Sequence, residues 1–181
     1  MKTNETFSLE VTSIDKVCAA GEEFGRQCQQ EKKTPVFSCE GGCIKGEIAR
    51  QAANLVAKND GYARACHGEL FSVPQADLAK WVREADKVVV IDGCSLFCHS
   101  RIAENIINKD KLVIFDSLSI HRKYANLMDV DDVSEEERKQ TAREVAAKVL
   151  DSMQNGIPCC PEQLPPCECG SQPQAESSCS A

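Results

Sequence analysis

Hydrophobic and polar positions follow one another along the chain with a spacing that alternates between that of a strand and that of a helix. Four short runs of apolar, β-branched and aromatic residues predict strands: TPVFS (34–38), YARAC (62–66), KVVVID (87–92) and KLVIFDS (111–117). In the segments that follow, apolar residues recur every three or four positions, which predicts helices packed by one face. These segments are EIARQAANLVAKN (47–59), PQADLAKWVREAD (74–86) with Ser72 as its N-cap, LFCHSRIAENIIN (96–108) and a last helix that opens at Ser134.

The alternation of strand and helix predicts the fold class. Strands separated by helices are typical of α/β proteins with a parallel sheet, so we expect a three-layer domain with about four strands. The strand order 2-1-3-4, which is flavodoxin-like or Rossmann-like, places the first strand between the second and the third. We therefore predict an α/β domain over residues 34–156, with the carboxyl ends of all strands on one edge of the sheet.

Two flanking segments are predicted to lie outside this domain. Residues 1–33 form an N-terminal extension in which apolar residues recur at helical spacing around Phe24, although Gly21 and Gly25 weaken the prediction of a helix there. Residues 157–181 are dominated by Pro, Gln, Glu and Ser and contain almost nothing to bury. We predict that this last segment is a disordered, cysteine-rich tail.

Composition narrows the class of partner and the compartment. The net charge is −7, with 28 acidic against 21 basic residues, so no basic stripe is available for nucleic acid. No apolar run approaches the ~20 residues of a membrane span, and the N-terminus lacks the apolar region of a signal peptide, so we expect a cytoplasmic protein. Because thiols stay reduced in the cytoplasm, the 12 cysteines do not predict a disulfide framework. They indicate metal ligands, redox groups or buried small side chains.

Cysteines follow each of the first three predicted strands. Cys39 follows the first strand, Cys66 ends the second, and Cys94 and Cys98 follow the third. Adjacent strands are ~4.8 Å apart and Zn–S bonds are about 2.3 Å long, so sulfur atoms from three neighbouring strand ends can share one zinc ion. Free cysteine is often buried for packing alone, but positions at strand ends favour ligands. We therefore predict a four-thiolate metal site at the carboxyl edge of the sheet.

The motifs around these cysteines resemble a known family. SCEGG (38–42), the isolated Cys66 and IDGCSLFC (91–98) are similar to the DGC-domain family, which is named for the tripeptide Asp-Gly-Cys, here at 92–94. The resemblance covers roughly residues 35–125. It implies little about biological role, but it implies zinc binding by four cysteines, which are carried over to Cys39, Cys66, Cys94 and Cys98.

Other polar residues lie near the predicted ligands. Cys43 can replace or supplement one of the four cysteines, so the ligand set stays open at this point. Because neighbouring residues on a loop usually point apart, three residues are expected nearby in a surface or supporting role: Asp92, His67 and His99. Elsewhere we expect packing on a helix for Cys18 and Cys28, and a solvated loop position for His121.

Three functions are compatible with these residues. The first is a zinc-binding protein whose closed four-sulfur site is structural or metal-handling, since it leaves no position for a substrate water. The second is a dithiol redox enzyme with Cys94 and Cys98 as its nucleophile and resolving pair, although a C-x-x-C motif is missing. The third keeps the same ligands around an iron–sulfur cluster. The sequence identifies no catalytic residue and leaves open whether the protein is an enzyme.

The tail adds further thiols on a flexible segment, at Cys159, Cys160, Cys167, Cys169 and Cys179. A flexible chain of ~20 residues has a reach of about 25 Å, so the tail could hand metal to the site or exchange with an oxidised thiol. It could also meet a protein partner or a thiophilic substrate. The sequence does not distinguish these roles from a weakly binding, solvent-exposed appendage, and it does not reveal the oligomeric state.

Overall fold

The computed structural model describes residues 8–12 and 14–156. The predicted disordered tail and its cysteines lie outside the described residues. Residues 14–18 are exposed and lead into the first helix. None of the helices in the described ranges combines the length and the apolar character needed to cross a membrane.

A four-stranded parallel sheet forms the centre of the molecule. Its strands are β1 (Thr34–Ser38), β2 (Tyr62–Arg64), β3 (Val88–Asp92) and β4 (Leu112–Asp116). They pair in the order β2-β1-β3-β4, and Val36 of β1 lies level with Arg64 on one side and with Val89 on the other. The predicted α/β class, parallel sheet and strand order 2-1-3-4 are confirmed. All four carboxyl ends lie on one edge of the sheet.

Helices connect the strands and cover the sheet. In chain order they are α1 (Ala19–Gln30), α2 (Ile44–Val56), α3 (His67–Ser72), α4 (Asp77–Glu84), α5 (Cys98–Ala103), α6 (Ser117–His121) and α7 (Glu135–Asn155). α2 packs against α7, and α1 packs against α4. These two helix pairs form the outer layers of a three-layer domain.

Both faces of the sheet are buried, and this explains the apolar run of β3. Val89 and Ile91 belong to the core that α2 and α7 cover, whereas Val88 and Val90 belong to the core beneath α1, α4 and α5. All four side chains are fully buried. Because successive residues of a strand point to opposite faces, a strand covered on both sides has to be apolar throughout.

Two predicted helix boundaries are wrong and one is confirmed. Ser134 caps α7 as predicted, because its hydroxyl accepts a backbone N–H of the first turn at 3.4 Å. Ser72 does not cap a helix, since it ends α3 and its hydroxyl donates to the carbonyl of Gly68. The helix predicted over 96–108 shortens to α5, which begins only after Phe97 because this residue has a left-handed φ of 49°.

The two glycines of α1 allow it to pack closely on the domain. A Cβ at Gly25 would lie 2.4 Å from the backbone nitrogen of Leu78 in α4. A Cβ at Gly21 would lie 2.4 Å from a carboxylate oxygen of Glu69, and that carboxylate also accepts the backbone N–H of Cys18 at 3.2 Å. The glycines lower helix propensity, but here they permit a close approach, so tertiary packing outweighs the propensity.

Candidate metal centre

The loops that follow the first three strands meet at the carboxyl edge of the sheet. We call them the rim; it comprises residues 39–43 after β1, 65–67 after β2 and 93–99 after β3. The rim carries Cys39, Cys43, Cys66, Cys94 and Cys98. Because β1 lies between β2 and β3, the first loop has one of the other two on each side. The topology therefore collects the predicted ligands at one edge, as it must for parallel strands.

Cys39 belongs to a compact group of potential ligand atoms. Its thiol, the Asp92 carboxylate and a ring nitrogen of His99 all lie within 4.8 Å of one another. Within residues 8–12 and 14–156, no other group of three or more such ligands is this close. Cys39 is 9% exposed, and its backbone N–H donates to the carbonyl of Ile91 at 2.9 Å. This hydrogen bond ties the loop after β1 to β3.

Asp92 holds the helix that carries His99. The buried carboxylate accepts the backbone N–H groups of His99 and Ser100, each at 3.1 Å, and the hydroxyl of Ser100. The first N–H groups of a helix have no partner within the helix and attract a carboxylate. Asp92 therefore fixes the start of α5, places His99 beside Cys39 and adds negative charge next to the thiol.

Glycines let the segments of the rim approach one another closely. A Cβ at Gly93 would lie 3.0 Å from the backbone nitrogen of Gly46, and a Cβ at Gly46 would lie 2.3 Å from the carbonyl oxygen of Gly41. The amide of Gly41 in turn donates to the sulfur of Cys39 at 3.4 Å. In the Asp-Gly-Cys tripeptide, the aspartate thus holds α5, and the glycine leaves room for α2 to approach β3.

Two histidine rings also meet at the rim. The centroids of His67 and His99 are 4.7 Å apart with an interplanar angle of 72°, and Phe37 packs 4.8 Å from His67. His67 Nε2 and His99 Nδ1 are buried, and neither has a hydrogen-bond partner among the described residues. Burial lowers the pKa of His67 to about 4, with further contributions from the neighbouring His99 and Arg64. His67 is therefore a neutral imidazole at neutral pH.

Arg64 connects the ends of β1 and β2. Its guanidinium donates to the carbonyl of Val36 at 2.8 Å, to the hydroxyl of Ser38 and to the carboxylate of Glu40 at 2.7 Å. The same carboxylate lies 3.9 Å from His67 Nδ1. Glu40 therefore stands between a guanidinium and an imidazole, and it links the loop after β1 to the loop after β2.

The surroundings of Cys39 favour a protonated thiol unless a cation compensates the negative charge. Burial raises the pKa of Cys39, and the neighbouring Asp92 and Cys43 raise it further. Hydrogen bonds from the backbone of Gly41 and Gly93 only partly offset this effect. A divalent cation reverses this preference, because it replaces the thiol proton and neutralises the adjacent carboxylate.

The other predicted ligands differ in exposure. Cys66, the N-cap of α3, and Cys98, the first residue of α5, are exposed, whereas Cys43 and Cys94 are half-buried. The structure thus places all the predicted cysteines along one edge, and the four-cysteine ligand set stays a prediction. The side chains that it brings together are those of Cys39, Asp92 and His99.

Three residues expected to lie away from the site have different environments. Cys28 is 1% exposed and packs in the core beneath α1 and α4, whereas Cys18 is exposed, contrary to the packing role expected for it. The prediction of a solvated His121 is wrong, because this residue ends α6, which packs on α7, and is 8% exposed. Its Nδ1 accepts the backbone N–H of Lys123 at 2.9 Å, and burial lowers its pKa to about 4.

Sequence reasoning missed the inward orientation of the two histidines because it treated them as loop residues. His67 is instead the first residue of α3, and His99 is the second residue of α5. Successive side chains on a helix are only ~100° apart around the axis, so neighbours there need not diverge. The signal that could have found them is the dipeptide Cys-His, which occurs at 66–67 and again at 98–99.

The donor atoms at the rim fit a borderline metal ion such as Zn²⁺. Zn–S and Zn–N bonds of about 2.3 and 2.0 Å put two ligand atoms of a tetrahedral ion about 3.5 Å apart. The donor atoms of Cys39, Asp92 and His99 are already within 4.8 Å of one another. The buried Nε2 of His67, which has no partner among the described residues, provides a further donor at the same edge. Thiolate and imidazole together are typical of zinc sites.

Comparison with known proteins gives one match. The family model of the DGC domain matches residues 35–145. This span begins within β1 and ends within α7, so it contains the rim and nearly all of the sheet. Neither the curated proteins nor the solved structures yielded a match.

Proposed function

The chain belongs to the DGC-domain family, and from this premise we propose that it binds zinc at the rim in a structural or metal-handling role. The observation that carries the proposal is the close group of Cys39, Asp92 and His99. The donors are drawn from the predicted cysteines and their neighbours: Cys39, Cys66, Cys94, Cys98, Cys43, His67 and His99.

Two residues of the group have different roles in this proposal. Cys39 is the anchoring ligand, because it is buried, its backbone N–H donates to the carbonyl of Ile91, and its sulfur accepts the amide of Gly41. Asp92 positions α5, because its oxygens already accept hydrogen bonds from His99 and Ser100. The chemistry that zinc supplies when bound is a cross-link between the loops after the strands, which adds to folding stability.

Elemental analysis of the full-length protein tests the proposal. All samples carry serine at the five tail cysteines, so that the tail contributes no thiol ligand to the measured metal. We expect about one zinc ion per chain, retained in Cys28→Ser and lost in Cys39→Ser. Cys28 is the matched control because it too is a buried free cysteine. Metal-free protein from a zinc-replete host, or undiminished zinc in Cys39→Ser, contradicts the proposal.

The same samples separate zinc from an iron–sulfur cluster. A zinc–thiolate site is colourless in visible light, whereas a cluster absorbs there and gives brown protein. We expect a colourless protein whose metal content is zinc. Brown protein containing iron and acid-labile sulfide would replace zinc with a cluster.

A dithiol enzyme is a second candidate, favoured by the exposure of Cys98. This thiol lies at the first residue of α5, and the carbonyl of Cys94 accepts the backbone N–H of Phe97 at 3.1 Å, so one tight turn separates the two cysteines. Alkylation at low pH distinguishes the candidates. Labelling of Cys94 that a chelator does not change supports the enzyme, and labelling of Cys94 only after chelation supports the metal site.

We further propose that residues 34–156 form the metal-binding domain, that residues 1–33 extend it, and that the cysteine-rich segment 157–181 hands metal to or from the rim in a reducing cytoplasm. The five tail thiols support this role because thiolates bind the same metals as the rim. The test compares the rate of zinc transfer to a chelator from wild type and from the variant with serine at all five positions. Equal rates contradict a role for the tail.

A further inference from the structure

At two places on the rim a cysteine and a histidine are adjacent, and in each pair the histidine is the inner residue. Cys66 is exposed, whereas the side chain of His67 is 17% exposed. Cys98 is exposed, whereas His99 is half-buried and contributes a ring nitrogen to the group around Cys39. A site closed by four thiolates would instead use the two exposed cysteines and leave both inner rings without a role.

The two rings lie beside one another, and each has an unused nitrogen. Their centroids are 4.7 Å apart, and His67 Nε2 and His99 Nδ1 are buried without a hydrogen-bond partner among the described residues. A buried polar atom without a partner costs free energy, so such atoms need a specific explanation in a native structure. Coordination to a metal ion uses the lone pair of each nitrogen and removes this cost.

Building on the proposed zinc binding, we propose that the ligands are Cys39, Cys94, His67 and His99, a mixed set of two sulfur and two nitrogen atoms. Such Cys2His2 sets are established tetrahedral zinc ligands. Cys94 is the second sulfur because it lies in the loop that directly follows Asp92, whose carboxylate is within 4.8 Å of the Cys39 thiol, and because it is half-buried whereas Cys66 and Cys98 are exposed. Cys43 is also half-buried, but it is the N-cap of α2 and lies outside this loop. Cys66 and Cys98 are then free thiols beside the metal.

Groups around the two imidazoles support ligation. A histidine that binds a metal through one ring nitrogen commonly donates the other N–H to a carboxylate, and Glu40 lies 3.9 Å from His67 Nδ1. Asp92 fixes the backbone of His99 at the start of α5, which holds this ring beside Cys39. Asp92 therefore positions His99 without having to bind the metal itself, whereas Glu40 places a carboxylate near Nδ1 of His67 but beyond hydrogen-bond distance.

The donor atoms can be counted directly in the full-length chain with serine at the five tail cysteines. X-ray absorption of the zinc protein should give two sulfur neighbours at about 2.3 Å and two nitrogen neighbours at about 2.0 Å. With cobalt(II) in place of zinc, the sulfur-to-metal charge-transfer absorption should be about half that expected for four thiolates. Neither measurement requires a ligand variant to fold.

Variants then assign the donors. His67→Phe and His99→Phe keep a ring in place but remove the nitrogens, so each should weaken cobalt binding by about tenfold or more. The double variant Cys66→Ser/Cys98→Ser should keep its affinity within about threefold and its cobalt spectrum unchanged. His121→Phe is the matched control, because His121 is also buried with an unpartnered Nε2 but lies on α6, and it should bind cobalt like the parent.

The outcomes separate this inference from the proposed function. Four sulfur neighbours, or loss of metal in the double cysteine variant while both histidine variants retain it, overturns the mixed ligand set and leaves zinc binding standing. Absence of any stoichiometric metal overturns both. Two sulfur and two nitrogen neighbours, together with retained binding in the double cysteine variant, support the mixed set.

Discussion

Cys28 and Cys39 are both buried free cysteines, but one lies in the apolar core beneath α1 and α4 and the other at the polar rim. Burial is the main cause of a raised pKa in each thiol. Around Cys39 the next contributions come from the backbone of Gly41 and Gly93, which point hydrogen bonds at the sulfur. Around Cys28 the next contribution comes from the charge of Lys33.

The comparison shows that burial alone does not separate a packing cysteine from a ligand. What differs is the set of neighbours, because Cys39 has a carboxylate and an imidazole within 4.8 Å and Cys28 packs in an apolar cluster. The rim exists because three parallel strands end there, so side chains distant in sequence converge. The region of α1 and α4 is instead held by close helix packing through Gly25.

The largest expected effect is the stabilisation by zinc. At free zinc about 1,000-fold above its dissociation constant, binding to the folded state adds about 4 kcal/mol, which raises the melting temperature by roughly 8–16 °C for a chain of this size. Differential scanning calorimetry should show this shift in wild type and in Cys28→Ser, and should show little of it in Cys39→Ser. A full shift in Cys39→Ser would erase the distinction between the two cysteines.

Glycine substitutions should give the next largest effect and should affect the two regions differently. Gly46→Ala brings a Cβ to 2.3 Å from a backbone oxygen of the rim, and Gly25→Ala brings one to 2.4 Å from the backbone of α4. Each should lower the free energy of unfolding by about 2–3 kcal/mol in urea titrations, and only Gly46→Ala should also weaken zinc binding. Gly42→Ala, with open space around its Cβ, is the control and should change stability by less than about 0.5 kcal/mol.

Acid should destabilise the metal-free protein through its buried histidines. The pKa of His121 is lowered to about 4 in the folded state, against an ordinary value of 6.5, so the unfolded chain binds more protons between these values. Stability contributed by neutral His121 is present above pH 6.5 and falls as the pH drops toward 4, by at most about 1.4 kcal/mol per pH unit. His67 adds a parallel contribution in the same window.

His121→Asn isolates one of these contributions. The asparagine keeps an acceptor for the N–H of Lys123 but does not titrate. Urea titrations between pH 7 and pH 4.5 should therefore show about half the pH dependence of wild type. An unchanged pH dependence would mean that His121 is not the titrating group.

The smallest expected effect concerns the carboxylate of Glu69, which joins the region of α1 and α4 to the rim. Glu69 accepts the N–H of Cys18 at the start of α1, and it lies on α3 together with His67. Glu69→Gln keeps the acceptor and removes the charge, so it should destabilise α1 by about 0.5–1 kcal/mol. Hydrogen exchange should be faster in α1 and zinc affinity unchanged. A loss of zinc affinity would show that the two regions are coupled.

Much of the fold could be predicted from the sequence because it depends on local pattern. The run VVVID identified a strand buried on both faces, and the alternation of strands and helices identified the parallel sheet. The order 2-1-3-4 was assumed from the flavodoxin-like arrangement, and the structure has it. The N-cap at Ser134 depends on one side chain and its own helix, so it too was predictable. Gly21 and Gly25 weakened the prediction of a helix, because local pattern shows only their low helix propensity. The contacts that require glycine there are made with Glu69 and Leu78, which lie 48 and 53 residues away in sequence.

The sequence by itself determined the α/β class, the parallel sheet, the family and the edge of the sheet where the cysteines collect. Only the tertiary structure decided which donor atoms face one another there: Cys39 joins Asp92 and His99, while Cys66 and Cys98 face solvent. The physical reason is that periodicity specifies which face of an element is buried. The direction of a side chain at the end of a strand or helix depends instead on the backbone of neighbouring segments and on hydrogen bonds such as those that Asp92 accepts from the N–H groups of α5.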